Sequence, residues 1–183
     1  MNYAHRFIYF RNAVLIHSSG NLNKMTIKYK SIGTIHTPFE KPEGMPIQPR
    51  GAKGIKGMVT VKKKYTEGLA DLEGFSHICL IYHLHKSKGF NLQVIPFLDN
   101  KPHGVFATRA PRRPNSIGIS VVRLLKITDN TIEIENADIL NGTPLLDIKP
   151  YLPEFDVYEA VNKGWAKDIT DKVKQIRSDS RFK

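Results

Sequence analysis

Proline and glycine interrupt this chain repeatedly, and the stretches between them are short and rich in Val, Ile, Tyr and Phe. Such stretches, bounded by turn-forming residues, favour β-strands over helices. The pattern therefore predicts a mainly β protein. The predicted strands are Tyr29–His36, Ile55–Lys63, His77–His85, Leu92–Phe97, Ile117–Ile127 and Thr131–Leu140.

The last two predicted strands read as a hairpin joined by residues 128–130. In its second strand Ile132 and Ile134 alternate with two glutamates, which indicates one buried and one exposed face. Half-buried strands repeated at short spacing are typical of a closed or nearly closed barrel. We therefore predict a single β-barrel domain over residues 25–160, with one short helix near residues 67–74.

The two ends of the chain depart from this pattern. Residues 1–24 show no sustained periodicity and end in a polar cluster, so we expect a flexible N-terminal extension. Residues 161–183 change to helical spacing, and we predict a basic tail that forms an amphipathic helix. Its apolar stripe should dock on the barrel, which leaves its basic face open to RNA. That stripe consists of Trp165, Ile169, Val173 and Ile176.

The charge of the chain indicates a polyanionic partner. Lysine and arginine number 28 against 17 aspartates and glutamates, which gives a net charge of +11. Phosphates attract such cations through counterion release, so nucleic acid is the favoured partner. A basic soluble protein without a nucleic-acid partner is the alternative.

Cysteine content and hydropathy point to the cytoplasm. Cys79 is the sole cysteine, so no intramolecular disulfide or multi-thiolate metal cluster can form. It lies in an apolar run, where a buried structural thiol is expected. No apolar stretch approaches the length needed to span a membrane.

The block ATRAPRRPN concentrates positive charge on a stiff segment. Pro111 and Pro114 fix their own φ angles and push the preceding residues toward extended conformations. Three arginines are thereby preorganised as planar donor forks for carboxylate or phosphate groups. These are Arg109, Arg112 and Arg113. A solvated basic loop between two strands is the alternative interpretation.

A second block, NGTPLLDIKPY, begins with a turn signal at Asn141. On an extended chain Asp147 and Lys149 lie on one face, because residues two apart share a face. The block reads either as a structural turn with a surface ion pair or as the rim of a ligand site. In the second case the exposed backbone of residues 142–144 and the Asp147 carboxylate would meet the ligand.

Two further patterns carry little chemistry. Glycines follow Pro46 and Pro49, but their spacing matches neither a P-loop nor a dinucleotide fingerprint. His83 and His85 share one face of a predicted strand without a nearby third ligand, so we expect no metal site.

Taken together, these blocks resemble the TsaA-like family, which includes the TrmO-type tRNA methyltransferases. The resemblance runs from SIGTIHTPFE through LADLEGFSHICLIYHLHKS and GVFATRAPRRPNSIGIS to NGTPLLDIKPYLPEFD. It implies a β-barrel enzyme without a Rossmann sheet, dependent on S-adenosylmethionine and acting as a homodimer. The implied reaction is methylation of N6-threonylcarbamoyladenosine at N6, beside the anticodon of tRNA.

The resemblance also implies site residues. For the methyl donor these are Pro46, Ile47, Gln48, His85, Lys86, Arg109, Ile119, Asn141, Gly142, Thr143, Pro144 and Leu145. Asp147, Lys149 and Tyr151 are expected to complete the pocket, and Arg112 and Arg113 to contact the tRNA. The family often has Asp where Asn141 stands and Gln where Lys86 stands, so this chain lacks one negative charge of the donor rim and carries an added positive one.

The general base is left open between His85, Asp147 and Tyr151, and no catalytic residue is assigned. Two other functions stay open. One is a non-catalytic RNA-binding barrel, and the other is a methyltransferase that acts on a different nucleoside or on a small metabolite.

Overall fold

The computed structural model of the protein describes residues 26–167 and 172–182. The strands in these residues are β1 (Gly33–His36), β2 (Lys56–Val61), β3 (His77–His83), β4 (Gln93–Val94), β5 (His103–Gly104), β6 (Ile117–Thr128), β7 (Thr131–Glu135) and β8 (Thr143–Pro150). Six of them close into an antiparallel barrel in the order β1-β2-β7-β6-β3-β8. Strands β4 and β5 pair with each other outside the barrel.

Helices in the described residues are short. There are two α-helices of four residues each, α1 (Pro153–Asp156) and α2 (Lys172–Gln175). The remaining helical turns are 3-10: Pro49–Gly51, Lys63–Leu69, Leu72–Gly74, Val105–Ala107, Gly164–Ala166 and Ser180–Phe182. No helix of the described part of the chain is long and apolar enough to cross a membrane.

Alternation along the strands explains the core. Ile132 and Ile134 are fully buried, whereas Glu133 between them is exposed, as the predicted hairpin requires. The other strands of the barrel contribute further isoleucine, valine and leucine side chains to the core. Burial of each such side chain stabilises the folded state by about 1.5–3 kcal/mol. The fully buried members include Ile35, Val59, Ile78, Leu80, Val122 and Leu145.

The sequence prediction of a mainly β barrel is confirmed, with differences in detail. The predicted strand Leu92–Phe97 is reduced to the two residues of β4. The strand β8 was not predicted, because Pro144 and Pro150 read as turn residues. Both prolines lie near its ends, where a missing backbone donor is tolerated.

The predicted helices also differ. The one expected near residues 67–74 is two 3-10 segments separated by Asp71, whose φ of 64° is left-handed. The single helix expected across the C-terminal tail is represented in the described residues by Gly164–Ala166 and α2, and Ile169 lies outside those residues.

The antiparallel order places particular chain segments at the same end of the barrel. β1, β3 and β7 finish where β2, β6 and β8 start. We call this the site end, because the segments that carry the arginine-proline block and the NGTP turn both lead into strands there. The hairpin turn at Asp129 and the segment Lys63–Gly74 lie at the other end, the far end.

Candidate functional site

A cavity of about 1050 Å³ opens beside the start of β6. It lies between the segment that precedes β2, the arginine-proline block and the C-terminal segment. Apolar side chains dominate its wall, and a few polar groups converge on it, which is the usual composition of a small-molecule site. Its lining includes Ile47, Gln48, Phe106, Arg109, Ile119 and Trp165.

The arginine-proline block forms a loop that is held together from within. Nη1 of Arg113 donates to the carbonyl oxygens of Val105 (3.3 Å), Thr108 (2.9 Å) and Ala110 (3.2 Å). Thr108 adds a hydroxyl bond to the Val105 carbonyl at 2.9 Å. The sequence predicted Arg113 as a tRNA contact, but the structure uses this guanidinium to shape its own loop.

That loop presents Arg109 to the cavity. Nη1 of Arg109 donates to Oε1 of Gln48 at 3.1 Å, which links the loop to the segment that precedes β2. Within the described residues Arg109 forms no ion pair with a carboxylate. Its positive charge is therefore available to an anionic ligand group.

A second cluster of residues that the sequence predicts to bind the methyl donor lies at the start of β8. Thr143 Oγ1 donates to the Leu140 carbonyl at 2.7 Å and lies 3.3 Å from Nδ1 of His85. Nδ2 of Asn141 donates to Oε1 of Glu40 at 2.8 Å. Gly142 adopts a φ of 72°, a conformation that glycine allows without strain. Burial lowers the pKa of His85, helped by the positive Lys86 and by His83, so its imidazole is neutral at pH 7.

The two clusters are neighbours across β3. Ile81 of that strand pairs with Ile119, and the next residue, Tyr82, pairs with Leu145. Adjacent strands lie about 4.8 Å apart, so β6 and β8 are separated by roughly 10 Å at this point. The structure thus brings most of the residues predicted to bind the methyl donor to one end of the barrel. The cluster at the start of β8, which contains His85, does not line the main cavity.

The remaining predicted residues are distributed differently. Asp147 and Lys149 form an ion pair of 2.9 Å on partly exposed β8 surface, and neither lines the main cavity. Asp147 instead borders a second cavity at the far end. The two side chains thus form the surface ion pair of the alternative interpretation, and their part in the donor pocket stays a prediction. Tyr151 does line the main cavity, and Pro46 forms a bridge with Arg177.

Sequence reasoning missed a buried polar chain inside the barrel at the site end. Ser120, 2% exposed, donates from Oγ to Oδ1 of Asp138 at 2.6 Å. Tyr82 OH lies 2.9 Å from the same serine oxygen and must be the donor there, because the serine proton is already engaged. The ring of Tyr82 fits because residue 118 is glycine: a Cβ there would lie 2.3 Å from the ring.

Burial controls the ionisation of this chain. Desolvation raises the pKa of Asp138 to about 6, while the bond from Ser120 and the charge of Arg109 act in the opposite direction. Desolvation, followed by the negative charge of Asp138, raises the pKa of Tyr82. Asp138 therefore changes charge near neutral pH, next to the arginine that faces the cavity.

A signal for one of these residues was present in the sequence. Ser120 occupies an inward position of β6, two residues before the buried Val122. Asp138 gave no such signal, because the alternation of β7 ends at Glu135 and the next fully buried residues beyond it are Ala137 and Ile139. Polar residues at inward positions are frequently functional, because burial makes them costly.

The cavity suits S-adenosylmethionine as judged by its own residues. Ile47, Phe106 and Ile119 offer apolar surface for an aromatic base, and Arg109 offers a cation for a carboxylate. The described residues contain no group of three His, Cys, Asp or Glu side chains that could hold a metal ion.

Fold and site together define a small antiparallel β-barrel with a basic, ligand-sized cavity at one end. Residues 34–157 match the family described as the tRNA-methyltransferase O N-terminal domain. The chain belongs to this family.

Individual relatives agree with that assignment. A protein of Pyrococcus abyssi named "Probable S-adenosyl-L-methionine-binding protein" is 54% identical over 158 residues, which are 86% of each chain. The human "tRNA (adenine(37)-N6)-methyltransferase" is 33% identical over 132 residues, which cover 68% of this chain and 30% of that protein. A crystal structure of TrmO from Pseudomonas aeruginosa superposes with a TM-score of 0.66 at 35% identity, over 78% of this chain and 63% of that one.

Proposed function

We propose that this protein methylates N6 of N6-threonylcarbamoyladenosine beside the anticodon of tRNA. The coarser statement follows from the family: the chain is an S-adenosylmethionine-dependent tRNA N6-methyltransferase. The observation that best supports the proposed site is the Arg109–Gln48 pair, which places in a mainly apolar cavity a cation that forms no ion pair with any described carboxylate.

In this proposal the donor is held by both clusters at the site end. Arg109 binds the donor carboxylate, and Ile47 and Ile119 pack against its apolar parts. When bound, the sulfonium supplies a methyl group and departs neutral, so the leaving group needs no proton. The main tasks of the protein are to orient the two reactants and to exclude water. The other proposed donor contacts are Pro46, Gln48, His85, Lys86 and the turn from Asn141 to Leu145.

The acceptor nitrogen must lose a proton, and two groups at the site end suit that task. His85 is neutral at pH 7, and Asp138 has a pKa raised to about 6 by desolvation. A general base must be unprotonated when the substrate binds, and the lowered pKa of His85 and the pKa of Asp138 at about 6 both favour that state at pH 7. Asp147, a candidate from the sequence, is paired with Lys149 away from the cavity.

The acceptor carries a threonine carboxylate, and Arg112 is proposed to bind it. This side chain follows the loop of Arg109, and its Nε is buried without a hydrogen-bond partner in the described part of the chain. Tyr151 lines the main cavity and is proposed as a further substrate contact.

We also propose a cytoplasmic homodimer, for which the exposed Phe155, Tyr158 and Val161 offer apolar contact surface outside the cavity.

Nucleoside mass spectrometry tests the reaction. The protein is incubated with S-adenosylmethionine and with tRNA that either carries or lacks the threonylcarbamoyl group. We expect a product one methyl group heavier only in the modified tRNA. Methylation of another nucleoside would refute the proposed substrate. If no nucleoside is methylated and S-adenosylmethionine also fails to raise the melting temperature, the RNA-binding barrel would be favoured.

A further inference from the structure

The C-terminal segment, described at residues 163–167 and 172–182, closes one side of the cavity. Its described residues contribute five side chains or backbone groups to the cavity wall. They are Lys163, Trp165, Ala166, Val173 and Phe182. The segment is therefore part of the candidate site and not an appendage to the barrel.

Its first attachment is to the arginine-proline loop and the residues that precede it. Nε1 of Trp165 donates to the Ala107 carbonyl at 2.8 Å, two residues before Arg109. The indole ring also stacks on His103, with 4.8 Å between ring centroids and 20° between planes. Asp99 holds that imidazole at 2.8 Å.

The second attachment is to the segment that precedes β2. Backbone bonds of 2.9 Å join Gly44 to Ser178 and Ser178 to Met45. Helix α2 packs so closely on Pro49–Gly51 that a Cβ at Gly51 would lie 3.1 Å from the Val173 carbonyl oxygen. A side chain at position 51 would therefore push helix α2 away by a few tenths of an ångström.

The third attachment lies at the end of the segment. Nη1 of Arg181 donates to the Pro96 carbonyl at 2.7 Å, and Phe182 meets Phe97 edge to face at 5.1 Å. All three attachments are to loops around the cavity, so the position of the segment is fixed relative to Arg109.

The cations of this segment fall into two groups. Arg177 donates to carbonyl oxygens of its own turn, and Arg181 pairs with Asp179 at 2.7 Å. Lys163, Lys167, Lys172 and Lys174 are exposed and form no ion pair with any described residue. Lys163 lines the cavity, and Lys172 and Lys174 flank Val173, which also lines it. We call the described residues 163–167 and 172–182 the strap.

We propose that Lys163, Lys172 and Lys174 bind RNA phosphates at the edge of the cavity, so that the strap helps to place the acceptor nucleotide. This inference rests on the proposed function. It moves the phosphate contact away from Arg113, whose guanidinium is occupied by three loop carbonyls. Lysine suits the role because phosphate contacts position a nucleic acid without reading its sequence.

The test compares two triple variants of the full chain that lose the same charge. The first carries Lys163→Gln, Lys172→Gln and Lys174→Gln. The control carries Lys28→Gln, Lys63→Gln and Lys126→Gln, which change exposed lysines outside the cavity. Binding of unmodified tRNA is measured by fluorescence anisotropy at several salt concentrations, and donor binding is measured by calorimetry.

We expect the strap variant to bind tRNA at least about tenfold more weakly near 0.1 M salt, with a salt slope lower by about two to three. Because Lys163 lines the cavity, tRNA affinity should fall by a larger factor than donor affinity, and the control should lose less than about threefold in tRNA affinity. Equal losses in both variants, or wild-type tRNA binding by the strap variant, would overturn the assignment. If the two variants differ in tRNA affinity as expected but the wild type transfers no methyl group, the proposed function would be refuted and the strap assignment would be supported.

Discussion

The two ends of the strand pair β3–β6 differ in the kind of side chain that they bury inside the barrel. At the far end Ile78 pairs with Val122, and both are fully buried. At the site end Tyr82 lies over Gly118, and Ser120 joins it to the partly buried carboxylate of Asp138. Apolar burial stabilises the fold, whereas buried polar groups lose hydration and must be satisfied by hydrogen bonds. The comparison teaches that this strand pair buries apolar side chains at the far end and hydrogen-bonded polar groups at the end beside the cavity.

The largest effect on stability is expected at the far end. Ile78→Ala should reduce the free energy of unfolding by about 2–5 kcal/mol, because it removes a fully buried side chain and leaves a cavity. Donor affinity should not change, since Ile78 lies away from the site. Denaturant unfolding and calorimetry check both parts, and a clear loss of donor affinity in a folded variant would break the comparison between the two ends.

At the site end the effect should depend on pH. Desolvation raises the pKa of Asp138 to about 6 from its ordinary 3.8, so between these values the folded state binds more protons than the unfolded state. Stability from this group is therefore present below about pH 4 and is lost as pH rises through about 6, by on the order of 3 kcal/mol. In Asp138→Asn that loss should disappear.

Unfolding free energies of the wild type and Asp138→Asn at several pH values measure this difference. Relative to the variant, the wild type should become less stable as the pH rises from 4 to 7. Parallel pH profiles would show that the carboxylate is not desolvated in the folded protein.

A smaller effect is expected in the arginine-proline loop. Arg113→Ala removes three hydrogen bonds to carbonyl oxygens, so donor affinity should fall by about tenfold as Arg109 loses its support. Arg113→Lys should restore part of that loss. The salt dependence of tRNA binding should stay as in the wild type, and a lower salt slope would return Arg113 to the role of a phosphate contact.

Much of the fold could be predicted because alternation is a local signal. Ile132 and Ile134 showed their buried face directly, and the arginine-proline block showed a stiff cationic loop. Strand β8 escaped prediction because Pro144 is a turn signal in isolation, and only pairing with β1 and β3 makes it part of a sheet. Local patterns do not contain such pairing.

Side-chain roles at the site were harder to predict. Arg109 and Arg113 look equivalent in the sequence, yet one faces the cavity and the other bonds to its own loop. That difference depends on the folded path of the loop. The same applies to two carboxylates: Asp147, which the sequence pattern singles out, pairs with Lys149 at the surface, whereas Asp138 is partly buried and accepts a hydrogen bond from Ser120.

The most direct test of the account is whether the cavity beside Arg109 binds the methyl donor. Calorimetric titration of S-adenosylmethionine is carried out on the wild type, Arg109→Ala and Arg123→Ala, the last being an exposed arginine paired with Glu135. We predict that Arg109→Ala weakens donor binding by about tenfold or more, while Arg123→Ala binds as the wild type does. Wild-type affinity in Arg109→Ala would contradict the assignment of this cavity.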